Sequence, residues 1–244
     1  MANISFVTKN LLEDATITVT GDPDTGFPEA RLYDRQVSLY WKWTGTGAIT
    51  FHADQGAADI LDADFLAIFR HNFSGEDLTW EYSDDDAAWS NAVAGWTQGD
   101  NTRIIKTLSA AATHRYWRVT LSSMENPRCG EIWMGEKWTH DILATPAPEA
   151  EAAPNVRWQK TAGGLTRSTK MGEARRRRSY QMALSAANLT AFLSAMDDLD
   201  EYSLPFYFCD HAGDWFLAKF VEPPRKIYSN KTHTWVQASV EELL

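Results

Sequence analysis

The sequence predicts a mostly β protein in two parts: an N-terminal sandwich or jelly roll and a smaller C-terminal β-rich (α+β) domain with one helix. Three observations point there. Tyr116, Arg118 and Thr120 alternate with Trp117, Val119 and Leu121, the period of two of a half-buried strand. Comparable short runs recur along the chain, separated by Gly, Pro, Asn and Asp clusters. Between Thr145 and Pro154 the composition shifts to three prolines with alanines and no aromatic residue, which reads as an exposed, semi-extended linker. The expected division is therefore 1–140, a Pro/Ala linker at 141–154, and 155–244.

Taken in order, residues 10 to 20 end in alternating β-branched residues and give a first strand, and Gly21 to Gly26 is a dense turn. Phe27 to Asp34 reads as an irregular edge leading into strands at Val37 to Trp43 and Ala48 to Asp54, punctuated by Gly45 and Gly47. Ala57 to Phe73 fits a short helix or a strand; the strand over Phe65 to His71 is preferred, apolar on both faces as in a buried central strand. Leu78 to Ser83 alternates cleanly and is closed by Asp84, Asp85 and Asp86. Ala87 to Asn101 reads as a polar loop, and strands resume at Arg103 to Leu108, His114 to Leu121 and Gly130 to Trp138. The turn before the last of these contains Asn126 and Pro127, and Pro cannot donate to a ladder. About eight strands result.

Beyond the linker, Val156 to Lys160 and Ala174 to Leu184 are strand-like, with Gly163 and Gly164 turning between them. Ser185 caps a helix whose Leu189, Phe192, Leu193 and Met196 recur at helical spacing. Strands follow at Leu204 to Cys209, Trp215 to Phe220 and Thr234 to Val240.

At 244 residues, 44% hydrophobic and 12% aromatic, the chain has ample material for packed cores. Residues 1–150 carry 11 Lys and Arg against 22 Asp and Glu, whereas 151–244 carry 12 against 11. The acidic first part argues against general binding to nucleic acid or anionic membranes. Cys129 and Cys209 are the two cysteines, one on each side of the expected boundary, so no disulfide framework is expected. No basic-then-apolar leader and no apolar run of about 20 residues occurs, so folding in a cytoplasm without membrane insertion is expected.

Several stretches carry a family resemblance in order: Asn10-Leu11-Leu12, Phe27-Pro28 to Asp34, His71-Asn72, Trp80 to Ser83 with Asp84-Asp85, Arg115 to Arg118, and Ile132 to Gly135. Together they resemble the discoidin-like (F5/8 type C) jelly rolls of tailed-phage tail-tip and baseplate proteins, over roughly residues 1–140. The region after the linker is similar to the small β domains that attach such proteins to tail rings, with Trp235 to Glu242 as the final strand.

The resemblance implies a structural, non-enzymatic virion component, assembled in the host cytoplasm as a symmetric homo-oligomer. Its implied partners are other phage tail proteins and a host saccharide. The alternative is a carbohydrate-binding module that recognises a host surface. The chain departs from better-known discoidin domains in lacking their end-closing cysteines and in carrying Asp54-Gln55-Gly56 after the second core strand. Ligand residues in that family lie on variable loops at one end of the roll, so none transfers position by position.

Among local constellations, Glu81 with Asp84, Asp85 and Asp86, and Asp59, Asp62 and Asp64 beside Asp54, have the oxygen chemistry of Ca²⁺ ligands. Neither has the alternating spacing and glycine of a dedicated loop, and solvated turns are preferred, so no metal is expected. His52, His71, His114, His140, His211 and His233 fall at no zinc-ligand spacing. No nucleophile elbow, His-Glu-x-x-His or phosphate loop occurs, and no cofactor is expected. A pair of glycosidase carboxylates depends on the fold and is not legible in spacing.

Arg175, Arg176, Arg177 and Arg178 on a strand project alternately to both faces, which suits a subunit interface meeting a neighbour's carboxylates. A solvated strand weighs equally, and a phosphate-binding patch is the runner-up. Trp89 and Trp96, in the expected polar loop, are the candidates for a sugar-stacking platform, against the alternative that they plug the end of the roll.

Overall fold

The computed structural model describes residues 4–139, 151–153, 156–160, 166–170, 175–200, 202–229 and 232–243, apart from 37 and 59. The protein is mostly β, with antiparallel sheets and, among the described residues, one α-helix. Its first strand, β1 (Ser5–Val7), does not join the sandwich that follows it in sequence. The chain forms two compact units, Lys9–Lys137 and Met1–Thr8 with Trp138–Leu244.

In the Lys9–Lys137 unit, ten strands follow a 3-10 turn at Leu11–Glu13: β2 (Thr16–Val19), β3 (Trp41–Lys42), β4 (Thr46–Asp54), β5 (Asp62–Phe69), β6 (Asp77–Ser83), β7 (Ser90–Thr97), β8 (Ile104–Thr113), β9 (Tyr116–Glu125), β10 (Arg128–Cys129) and β11 (Glu131–Gly135). They form a five-stranded sheet, β2-β4-β9-β6-β7, and a three-stranded sheet, β11-β5-β8, with β3 and β10 as a separate pair.

Alternation decides which side of each strand is buried. On β4, Ile49, Phe51 and Ala53 point inward, as do Trp117, Val119 and Leu121 on β9, and they share one core with Leu66, Ile68, Ile104, Ile132 and Met134 of the three-stranded sheet. Trp41 meets Phe51 edge-on at 5.3 Å, and Trp80 lies 5.4 Å from Trp117. The strand reading of 65–71 is borne out as β5, buried at nearly every position as the middle strand of its sheet.

The expected polar loop at 87–101 is instead partly β7, an edge strand whose mixed Ser, Asn, Ala and Gly composition masks the period of two. Its pairing to β6 slips register twice, which further breaks the alternation.

Asn10 ties the entry of the chain to this unit. Fully buried, it donates Nδ2 to the Ile132 carbonyl (2.9 Å) and accepts at Oδ1 from Leu12 N (3.3 Å) and Met134 N (3.0 Å). Three bonds to backbone satisfy a side chain that would be costly to bury bare.

The other unit adds β12 (Trp138–Thr139), β13 (Glu151–Ala153), β14 (Val156–Lys160), β15 (Thr166–Lys170), β16 (Arg175–Leu184), α1 (Ala186–Asp197), β17 (Phe206–Cys209), β18 (Trp215–Ser229) and β19 (Thr234–Glu242). Its seven-stranded sheet runs β12-β1-β17-β18-β19-β16-β13, and β14 pairs with β15 alone. Most of the expected linker, 140–150 and 154, lies outside the described residues, as does the Gly163-Gly164 turn; 151–153 is a strand on β16.

The Ser185 side chain caps α1 by accepting from Asn188 N, and Phe192 and Met196 enter the core. Phe6 of β1 is packed there against Phe192, Phe206 and Phe208 at ring distances of 5.3–6.0 Å.

Candidate functional site

The outward face of the five-stranded sheet carries the polar positions of β4, β6 and β9, and these are already paired with one another. Arg115 grips Asp54 with two nitrogens (2.7 and 2.9 Å), which lowers the Asp54 carboxyl below its ordinary range. Arg118 donates to Glu81 (2.8 Å), and His52 Nε2 lies 3.0 Å from Asp86.

Trp89 lies on this face, half-buried, with the Arg118 guanidinium 4.0 Å over its ring and His52 edge-on at 5.7 Å. Trp96 sits opposite Leu78, packs against the core and takes Lys106 Nζ 4.2 Å over its ring. The two candidate tryptophans therefore lie on opposite faces of their sheet and cannot form a single platform.

The acidic turn is likewise answered from within the unit. Asp84 meets His114 Nδ1 at 2.9 Å and Asp86 meets His52. Asp85 accepts from Ser83 Oγ and from the amides of Ala87 and Ala88, which lower its pKa. Lys137 bridges to Asp64 (3.2 Å), Asp62 accepts from Thr113, and Asp59 lies outside the described residues. Among the described residues no three His, Cys, Asp or Glu are arranged to hold a metal ion.

In the other unit the arginines of β16 meet carboxylates of the same chain. Arg175 reaches Glu241 (3.1 Å), Arg176 reaches Glu242 (3.3 Å) and Asp214 (3.6 Å), and Arg178 reaches Asp210 (3.1 Å). The carboxylates expected from a neighbouring subunit are, for these three, intramolecular; Arg177 is half-buried on the same strand.

What the sequence did not single out is a cavity of about 220 Å³ in the Lys9–Lys137 unit, lined by Tyr40, Arg70, His71, Asn101 and Arg128. Four separate segments supply these residues: the approach to β3, the end of β5, the β7–β8 connection, and β10.

Each residue is held by its surroundings. The Tyr40 ring packs on Phe27 at 5.0 Å. Asn101 Oδ1 accepts from Ser74 N (2.9 Å), which orients the amide. Asn72 accepts from Arg128 N (2.8 Å) and donates to the Asn126 carbonyl (3.1 Å), bracing the turn from β9 to β10. Arg70 has a left-handed backbone, φ 54°, a conformation that bulky residues rarely adopt. A Cβ at Gly130 would come within 2.8 Å of the Arg70 Cβ, so the glycine makes room for that backbone.

His71 is 2% exposed and stacks on Phe73 at 4.9 Å. Its Nδ1 accepts from Phe73 N (3.1 Å), which leaves the proton on Nε2. That nitrogen has no hydrogen-bond partner of normal geometry. Burial lowers the imidazole pKa, with the Thr102 backbone and the Asp100 carboxylate opposing, so the ring is a neutral donor.

Comparison with protein-family models and with curated proteins gives no match. Among solved structures the chain is similar to chitosan-binding module 1 of a chitosanase/glucanase from Paenibacillus sp. IK-5, at 18% identity and a TM-score of 0.45 over 52% of this chain and 99% of that one. It is similar to CBM32-1 of a family 31 glycoside hydrolase from Clostridium perfringens, at 15% identity and a TM-score of 0.41 over 53% and 99%. A Ruminococcus gnavus GH29 fucosidase in complex with fucose matches at 19% identity and a TM-score of 0.44 over 53% of this chain, which spans 27% of the fucosidase. All three identities are below 25% and all three TM-scores below 0.5.

Proposed function

We propose that the Lys9–Lys137 unit is a non-catalytic saccharide-binding module whose ligand occupies the cavity between Tyr40, Arg70, His71, Asn101 and Arg128. The observation that carries this is the lining itself: a phenol, an imidazole, an amide and two guanidinium groups around space for one sugar ring. Sugar hydroxyls donate and accept at once, and amide and phenol groups answer in both senses while guanidinium forks hold two oxygens together. The Tyr40 ring offers an apolar face for the C–H side of a pyranose. None of these residues is a carboxylate, the group a glycosidase uses to protonate its leaving oxygen.

The test is binding of the full chain to a panel of soluble oligosaccharides, with Asn101→Ala, Tyr40→Ala and Trp89→Ala variants whose folding is checked by circular dichroism. The first two should lose binding and the third should keep it. Absence of binding to every saccharide overturns the proposal; loss in Trp89→Ala alone moves the ligand to the outward sheet face. The tail-tip role rests on the sequence resemblance, and labelling the chain in assembled particles is its test.

A further inference from the structure

We infer that the Lys9–Lys137 unit is an insertion in the turn of a β1–β12 hairpin of the other unit, and that β1 is the strap that closes the other unit's core. β1 lies between β12 and β17 in the seven-stranded sheet, with Phe6 opposite Trp138 on one side and Phe208 on the other. Ser5 stands between Thr139 and Cys209, and its hydroxyl shares a hydrogen bond with that of Thr139 (2.9 Å). The strand is interior, with ladder partners along both edges.

Its side chains are built into the same core. Ile4, Phe6 and Val7 are fully buried, and Ile4 and Phe6 share a cluster with Met182, Leu184, Phe192, Phe208 and Val240. The Phe6 ring meets Trp138 at 5.6 Å, besides Phe192, Phe206 and Phe208, so rings from β12, α1 and β17 converge on it. Among the described residues, none of Lys9–Lys137 belongs to this cluster, and neither Ile4 nor Phe6 belongs to the cluster of the sandwich.

The chain passes from one set of partners to the other within a residue or two. On the way out, Thr8 donates its hydroxyl to Asp198 (3.4 Å), whereas Asn10 already donates to the Ile132 carbonyl. On the way back, Lys137 N donates to Asp64 (2.8 Å), and the next residue, Trp138, opposes Phe6. Phe6 and Trp138 are cross-strand neighbours, so the chain leaves the hairpin and re-enters it at positions about 5 Å apart. An unfolded segment of this length between the two strands would cost loop entropy, which a folded unit with its ends together removes. A change at Phe6 therefore acts on β16, β17, β18 and β19, far away in sequence, and spares the sandwich strands that follow it directly.

The experiment is native-state hydrogen exchange of the full chain, read by mass spectrometry, for wild type, Phe6→Ala and the milder Phe6→Leu. In Phe6→Ala the slowest amides of 175–184, 206–220 and 234–242 should exchange roughly a hundredfold faster, while those of 46–54, 65–69 and 116–125 keep their wild-type rates. Phe6→Leu should accelerate the same segments by about tenfold or less and keep the chain folded if the alanine variant does not. Equal acceleration in both sets of segments means one cooperative body and overturns the insertion. Acceleration confined to residues 4–8, or to the sandwich segments, overturns the closing role of β1.

Discussion

Replacing Glu131 by Gln should stabilise the protein at neutral pH, and by an amount that grows with pH. Glu131 opens β11, is 3% exposed, and neither carboxylate oxygen has a hydrogen-bond partner of normal geometry. Burial pushes its pKa from 4.5 up to about 8; the Arg35 backbone and charge oppose this, and Asp34 and Glu13 add to it.

The sign follows from which state binds the proton. Below the unfolded value both states are protonated and the group is silent. Between about 4.5 and 8 the unfolded carboxyl ionises while the folded one keeps its proton, so each pH unit costs about 1.4 kcal/mol. At about pH 7 the accumulated loss is of order 3 kcal/mol, and above the folded value it levels off near 5 kcal/mol. Domains of this size are stable by only about 5–15 kcal/mol, so the loss is measurable.

Gln matches the protonated side chain in shape and carries no charge at any pH. Guanidinium unfolding followed by Trp fluorescence, at several pH values from about 4.5 to 8.5, should show wild type and variant nearly equal at the acid end and diverging upward. Other titrating groups cancel in the difference. Parallel stability profiles for the two proteins would refute the buried, unpaired carboxyl.

Asn10→Ala removes three hydrogen bonds to buried backbone and strands the Met134 amide and Ile132 carbonyl, so unfolding should become easier by about 2–4 kcal/mol; a midpoint within error of wild type would contradict this. Gly130→Ala places a methyl 2.8 Å from the Arg70 Cβ and 3.0 Å from the Phe69 carbonyl, and should weaken saccharide binding in calorimetry more than it lowers the unfolding midpoint. Equal binding by that variant would separate Arg70 from the site.

Much of the fold was legible because alternation reports directly on burial. Val119 with Leu121 and Ile49 with Phe51 each mark an inward face, and the strands built on them form where the period of two places them. The capped helix was legible for a different reason: Ser185 and the spacing of Phe192 and Met196 are local signals that need no partner. The placement of β1 and β7 was not legible. Three residues of β1 carry too short a pattern to name a sheet, and their partners on β17 lie some 200 positions away, a pairing that only tertiary packing decides. β7 is exposed on an edge, where no core enforces alternation.

The site was hidden by the same logic taken further. Tyr40, Arg70, His71, Asn101 and Arg128 come from connections and strand ends, where periodicity has nothing to say, and no spacing between them recurs. The tryptophans stood out in sequence because they are large, yet size in a β sandwich is first a packing property: Trp96 serves the core and Trp89 is capped by Arg118. The second unit shows the same dependence on tertiary structure. Three of the four consecutive arginines find their carboxylates on Glu241, Glu242, Asp210 and Asp214 of the same chain, whereas Arg70 and Arg128, unremarkable among neighbours of other types, are brought to one cavity by the pairing of β5 with β11. A cavity of this kind is a property of strand order, and its residues become readable only after the order is known.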